Sequence, residues 1–105
     1  MTRGEIWLVN LDPTVGSEIR KTRPCVVVSP GEMHDHLRTV VVAPMTTVGR
    51  EAPFRIGIHH GGRRGLILLD QIRAVDKTRL AKRLGAVSSR TLTATLQTLQ
   101  EVFAE

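Results

Sequence analysis

Apolar residues fall along this chain in short bursts, and the spacing inside each burst predicts what it forms. Glu5 to Leu11 (EIWLVNL) is rich in strand formers, and Asp12-Pro13 ends it with turn chemistry. The polar stretch 12–23 (DPTVGSEIRKTR), which contains Gly16, predicts a long loop. Pro24 to Ser29 (PCVVVS) and Thr39 to Pro44 (TVVVAP) are continuous apolar runs of strand length, the pattern of strands buried on both faces. Between them lie the Pro30-Gly31 stop and a polar connection, Glu32 to Arg38. Arg55 to His59 alternates weakly, and Gly61-Gly62 predicts a hairpin turn into a further apolar strand, Gly65 to Leu69. Residues 84–87 (LGAV) predict a last short strand.

The period then changes. Leu92, Leu96, Leu99 and Phe103 recur at helical spacing on one face, with Thr93, Gln97 and Gln100 opposite. Ser88 or Ser89 is the expected N-cap, because a serine hydroxyl satisfies an orphan N–H of the first turn. Five or six short, mostly antiparallel strands closed by one amphipathic helix predict a mainly β fold with a C-terminal α-helix. A small barrel fits this order better than a doubly wound sheet, which needs helices between its strands. With 105 residues, no repeats and no linker, one domain over residues 1–105 is expected.

Composition sharpens the picture in three ways. Only 3% of residues are aromatic, so Val, Leu and Ile must build the core and an aromatic base-stacking platform is not expected. The single cysteine, Cys25, excludes an internal disulfide framework and, inside a valine run, reads as a buried inert thiol. No apolar run approaches the ~20 residues of a membrane span and the first residues carry no signal-like apolar stretch, so the expected location is the cytoplasm, with no membrane partner. Charge is the positive clue: 12 arginines and 3 lysines face 10 acidic residues, a net charge of +5. Arginine's planar fork binds phosphate bidentately, which makes nucleic acid or an acidic protein a candidate partner.

Several constellations could carry chemistry. His34-x-His36 and His59-His60 invite a zinc site with Cys25 or Asp35, but the spacings match no structural zinc pattern; solvated loop histidines and no metal are expected. Gly61-Gly62 beside Arg63-Arg64 lacks the context of a phosphate-binding loop and predicts a plain turn. Polar residues at strand ends are more informative. Arg23 precedes the PCVVVS strand, Thr46-Thr47 follow TVVVAP, Glu18 lies on the loop into Arg23, and Asp70, Gln71 and Arg73 follow the GLILL strand. Gathered at one rim, they would set an arginine among hydroxyls and carboxylates, a set able to stabilise a phosphate that gains negative charge.

These residues also carry a family resemblance. Arg3-Gly-Glu-Ile-Trp-Leu-Val-Asn-Leu-Asp-Pro-Thr14, Gly16-Ser-Glu18, Arg23-Pro24 with its VVVS strand, Ala43-Pro-Met-Thr-Thr47, Leu69-Asp70-Gln71-Ile-Arg73 and Leu84-Gly85 resemble the MazF/PemK family of toxin endoribonucleases over nearly the whole chain. The resemblance implies an SH3-like barrel with a C-terminal helix, a homodimer, and metal-independent cleavage of single-stranded RNA at short sequence motifs without a cofactor. It also implies neutralisation by an acidic antitoxin. By the same resemblance Arg23 and Thr46 are the catalytic pair, Glu18 is a carboxylate near the site, and Ser17, Thr47, Asp70, Gln71 and Arg73 are RNA contacts. Some members place histidine where Ser17 stands and a catalytic arginine where Leu68 stands, so reliance on Arg23 and Thr46 is implied here. Two other readings stay open: a non-enzymatic toxin of the same barrel acting on gyrase by binding, and a degenerate member that only binds RNA or antitoxin.

Overall fold

Every strand predicted above is present, and the pairing explains why two of the apolar runs are continuous. The computed structural model describes residues 1–105. Its strands are β1 (Glu5–Asn10), β2 (Thr22–Val27), β3 (Thr39–Thr46), β4 (Arg55–His60), β5 (Arg63–Leu68), β6 (Arg73–Asp76) and β7 (Leu80–Ala86). One helical turn, α1 (Gly31–His34), joins β2 to β3, and α2 (Ser89–Phe103) ends the chain. The strands lie in the order β4-β5-β3-β2-β1-β7, with β6 also on β3, and all pairings are antiparallel. β3 turns the sheet: one of its edges holds β2, while the other is shared between β6 at residues 39–42 and β5 at Met45 and Thr46. Two register shifts between β1 and β7 add local twist, and the result is a half-barrel.

Alternate residues of the central strands feed two cores. Ile6, Val26, Val28, Ala43, Met45, Ile58, Ile67 and Leu69 form one, covered by Leu99 of α2. Val9, Leu11, Cys25, Val27, Val40, Val42 and Val75 form the other. A strand that serves both cores must be apolar at every position, hence the unbroken valines. Ser88 caps α2, its Oγ accepting the Thr91 N–H at 3.1 Å. Leu92 lies over Gly4, where an added Cβ would sit 3.1 Å from its Cδ2 at a φ of +92° that favours glycine. Glu5 fastens the opening segment: its carboxylate accepts from Trp7 Nε1 and Arg83 Nε, each at 3.1 Å, and from the Thr2 N–H at 3.0 Å. Burial opposes its ionisation, but these donors outweigh that and hold the carboxyl below its usual range.

Four expectations change. There are seven strands: β6 was not foreseen and β7 starts four residues earlier, because Arg73, Asp76, Lys82 and Arg83 break up the apolar period of half-exposed strands. Phe103 does not complete the buried face of α2; it is 70% exposed. The polar connection after Pro30 contains α1. Finally, His34 is not a solvated loop residue. It is 1% exposed, with Nδ1 3.1 Å from Ser29 Oγ and Nε2 2.9 Å from the Met1 carbonyl. Ser29 Oγ in turn accepts the Val41 N–H, so the Nε2-protonated neutral ring satisfies every group in the chain of bonds.

Candidate active site

The strand-end residues line two depressions that share no residue. The first, about 270 Å³, is lined by Arg23, Pro24, Met45, Thr46, Thr47, Ile58, His60, Arg63 and Gly65. The second, about 360 Å³, holds Ser17, Glu18, Ile19, Asp70, Gln71, Ile72 and Arg73. The pairing that builds the first is direct. Cys25 stands opposite Pro44 across β2 and β3, and the ends of the two strands beyond that pair bring Arg23 and Thr46 into one cleft. Gly65 lets β5 close against them, since a Cβ there would lie 2.7 Å from the Thr46 carbonyl oxygen.

Both expected catalytic residues keep hydrogen-bonding capacity for a ligand. Arg23 donates only its Nε–H, to the Arg20 carbonyl at 3.0 Å, which fixes the guanidinium while its two terminal amino groups stay available. Thr46 Oγ1 accepts the Val48 N–H at 3.1 Å, which leaves its own proton free to donate. Thr47 is exposed at the mouth. No carboxylate lines this cleft, whereas Arg23 and Arg63 do. Its field therefore favours an anion.

The second depression is built differently, because its polar side chains also hold the loop beside it. Glu18 Oε1 accepts the Val15 N–H at 2.6 Å, closing the turn in the long loop. Gln71 Oε1 accepts the Ile19 N–H at 2.7 Å, and Arg73 Nη1 donates to the Leu11 carbonyl at 3.1 Å. Both Asp70 oxygens hold Arg55, at 3.2 and 3.1 Å, and the paired carboxylate raises the Arg55 pKa further. Only Ser17 forms no side-chain bond. Glu18, Gln71 and Arg73 thus anchor the loop over residues 12–23, and Asp70 ties the turn after β5 to β4; their carboxylates would oppose a phosphate. Glu18, expected near the catalytic pair, lines the second depression and not the Arg23–Thr46 cleft. Leu68 is buried at 3% exposure and could not reach a ligand in either depression.

Sequence reasoning missed His60 and Arg63. The cross-strand pairs His60–Arg63 and Ile58–Gly65 close the β4–β5 hairpin, and all four residues line the first cleft. The signal was present in the His-His and Arg-Arg pairs flanking Gly61-Gly62, but a turn alone does not say which member of each pair faces inward. His59 and Arg64 face away, Arg64 pairing with Glu51 at 3.0 Å. No three His, Cys, Asp or Glu side chains converge anywhere in the structure. Cys25, fully buried behind Pro24, has its thiol pKa pushed up to about 12 by burial, which outweighs the opposing fields of Arg73 and Arg23.

The fold is thus a half-barrel with a cationic cleft at the ends of β2 and β3, and comparison with known proteins shows its family. Residues 2–103 match the family described as PemK-like, MazF-like toxin of type II toxin–antitoxin systems, and the chain belongs to that family. It is 44% identical over 93 residues to Endoribonuclease PemK of Escherichia coli, an alignment covering 83% of this chain and 70% of that one. The fold is similar to the crystal structure of MazF from Deinococcus radiodurans, with a TM-score of 0.85 at 24% identity over 97% of this chain and 94% of that one. It is similar also to a mycobacterial endoribonuclease solved in complex with its cognate antitoxin, with a TM-score of 0.80 at 22% identity over 96% and 92%.

Proposed function

We propose that this protein is the toxin of a type II toxin–antitoxin pair and an endoribonuclease that cuts single-stranded RNA in the Arg23–Thr46 cleft. The observation that carries the reading is the cleft itself: a guanidinium and a hydroxyl with free donors, among cations and without a carboxylate, in a chain of this family. The RNA supplies its own nucleophile. Its 2′-oxygen bonds to phosphorus, the bond from phosphorus to the 5′-oxygen breaks, and the ends are a 2′,3′-cyclic phosphate and a 5′-hydroxyl. Arg23 neutralises the charge that builds on the non-bridging oxygens, and Thr46 donates to one of them; fixed donors aimed at developing charge are commonly the largest catalytic contribution. Arginine supplies that charge without a metal or cofactor. Thr47 meets the RNA at the mouth. Ser17, Glu18, Asp70, Gln71 and Arg73 in the second depression meet the RNA beyond the scissile phosphate.

The protein acts in the cytoplasm as a homodimer, because a small basic domain with almost no aromatic rings needs both copies of one surface to hold a strand. An acidic antitoxin segment, drawn to the same basic surface, competes with RNA and does so less well at high salt. The test is a long RNA incubated with purified protein in excess EDTA, with the ends mapped. Discrete cuts bearing 5′-hydroxyls are expected. Binding without cutting would support the degenerate reading, and gyrase-dependent DNA breakage the non-enzymatic one.

A further inference from the structure

Arg23 and Thr46 give the cleft donors for a phosphate but no group that can take a proton. Guanidinium stays protonated in proteins, and a threonine hydroxyl does not ionise near neutral pH. Glu18, the carboxylate that sequence reasoning set beside Arg23, lies in the other depression with Oε1 on the Val15 N–H. Among the residues lining the Arg23–Thr46 cleft, His60 alone carries a side chain that gains and loses a proton in the neutral range. It is half-buried at the end of β4, and neither ring nitrogen is bonded to any protein group. Strand geometry aims it: residues two apart share a face, so His60 follows Ile58 into the cleft while His59 points to solvent. Facing it are Arg63 across the hairpin on β5 and Arg23 from β2, with no acidic group between.

We infer that His60 is the general base of RNA cleavage in this protein, an inference that rests on the reading of the cleft as a ribonuclease site. The neutral imidazole accepts the proton of the 2′-hydroxyl as the 2′-oxygen bonds to phosphorus. The bond to the 5′-oxygen breaks, that oxygen takes a proton from water, and the imidazolium returns its own proton to the hydroxide so formed. With the phosphate on Arg23 and Thr46, the sugar 5′ of the cut meets the imidazole on the facing β4–β5 hairpin, beside Arg63.

The experiment compares wild type with His60→Ala, His60→Gln and His59→Ala at the strongest site that wild type cuts in a long RNA. Single-turnover rates are followed from pH 5 to 9, and affinity is read on the same sequence with 2′-deoxy sugar at the cut. His60→Ala and His60→Gln are expected to lose about 10²-fold or more in rate, the usual contribution of a positioned base, with affinity changed less than threefold. The acidic limb of the wild-type pH–rate profile should vanish in both, and added imidazole should restore part of the His60→Ala rate. His59→Ala should behave as wild type. Variants that fold, bind and cut within threefold of wild type with its pH profile would overturn the assignment of His60 and leave the ribonuclease reading standing. Loss of affinity in proportion to rate, with the acidic limb unchanged, would also overturn it by making His60 a binding group. A wild-type protein that cuts no RNA would overturn the reading beneath it.

Discussion

Replacing Gly65 by alanine adds one methyl group at the most crowded point of the cleft. The new Cβ would lie 2.7 Å from the Thr46 carbonyl oxygen and 3.5 Å from its carbon, whereas ordinary contact begins near 3.4 Å. Something must yield by about 0.7 Å, and because the obstacle is backbone rather than the end of a flexible side chain, β5 and β3 must part. Thr46 moves with them, and Leu66, its partner across the two strands, loses register with it. Overpacking of this kind costs about 1–3 kcal/mol of stability. The catalytic effect is larger, because misplacing a positioned group by ~1 Å costs on the order of 10²-fold in rate. Gly65→Ala is therefore expected to fold, to melt several degrees lower, and to cut RNA ~10–100-fold more slowly. Rates are measured well below the melting transition, with Gly57→Ala as control, since a Cβ there meets nothing within 4 Å. A Gly65→Ala protein with wild-type rate and stability would refute the claim that this close approach sets the position of Thr46.

Arg23→Ala should lose ~10²-fold or more in cleavage with the fold intact by circular dichroism, and Thr46→Ala should lose less if its hydroxyl serves one phosphate oxygen. His34→Ala should lower stability by about 2–4 kcal/mol in urea denaturation, because it opens a cavity and leaves Ser29 and the Met1 carbonyl without their partner. Cys25 makes stability depend on pH at the alkaline end. Its pKa rises from 9.0 to about 12 on folding, so the native state keeps a proton that the unfolded chain releases. The contribution is constant below 9 and declines between 9 and about 12, by up to ~1.4 kcal/mol per pH unit. Denaturation midpoints of wild type and Cys25→Ala should converge over that window.

How much of this could be read beforehand depended on whether the cause was local. The valine runs of β2 and β3 announced strands covered on both faces, and the leucines of α2 announced a helix, because each pattern is complete within a few residues. β6 and most of β7 were hidden because one face is solvated and charged, so Arg73, Asp76, Lys82 and Arg83 masked the apolar alternation. His34 was misjudged for a different reason: the groups that satisfy it, Ser29 and Met1, are brought to it by the fold, and a polar residue in a polar stretch gives no sign of them. In the site, Arg23 and Thr46 were legible as strand ends and through the family motif. The part Glu18, Gln71 and Arg73 play in holding the loop was not, since it follows from bonds to Val15, Ile19 and Leu11 that no spacing encodes. Asp70 carried no mark of its engagement with Arg55, fifteen residues earlier in the chain.

In the proposed mechanism the scissile phosphate sits between Arg23 and Thr46 rather than beside Glu18 and Asp70. A structure of the protein bound to its RNA, with 2′-deoxy sugar at the cut so that the nucleophile is missing, tests this directly. A phosphate is expected within hydrogen-bond distance of the Arg23 terminal amino groups and of Thr46 Oγ1, with Glu18 still on the Val15 N–H and Asp70 still on Arg55. A scissile phosphate bound instead in the Ser17–Arg73 depression, with the Arg23 guanidinium facing solvent, would contradict it.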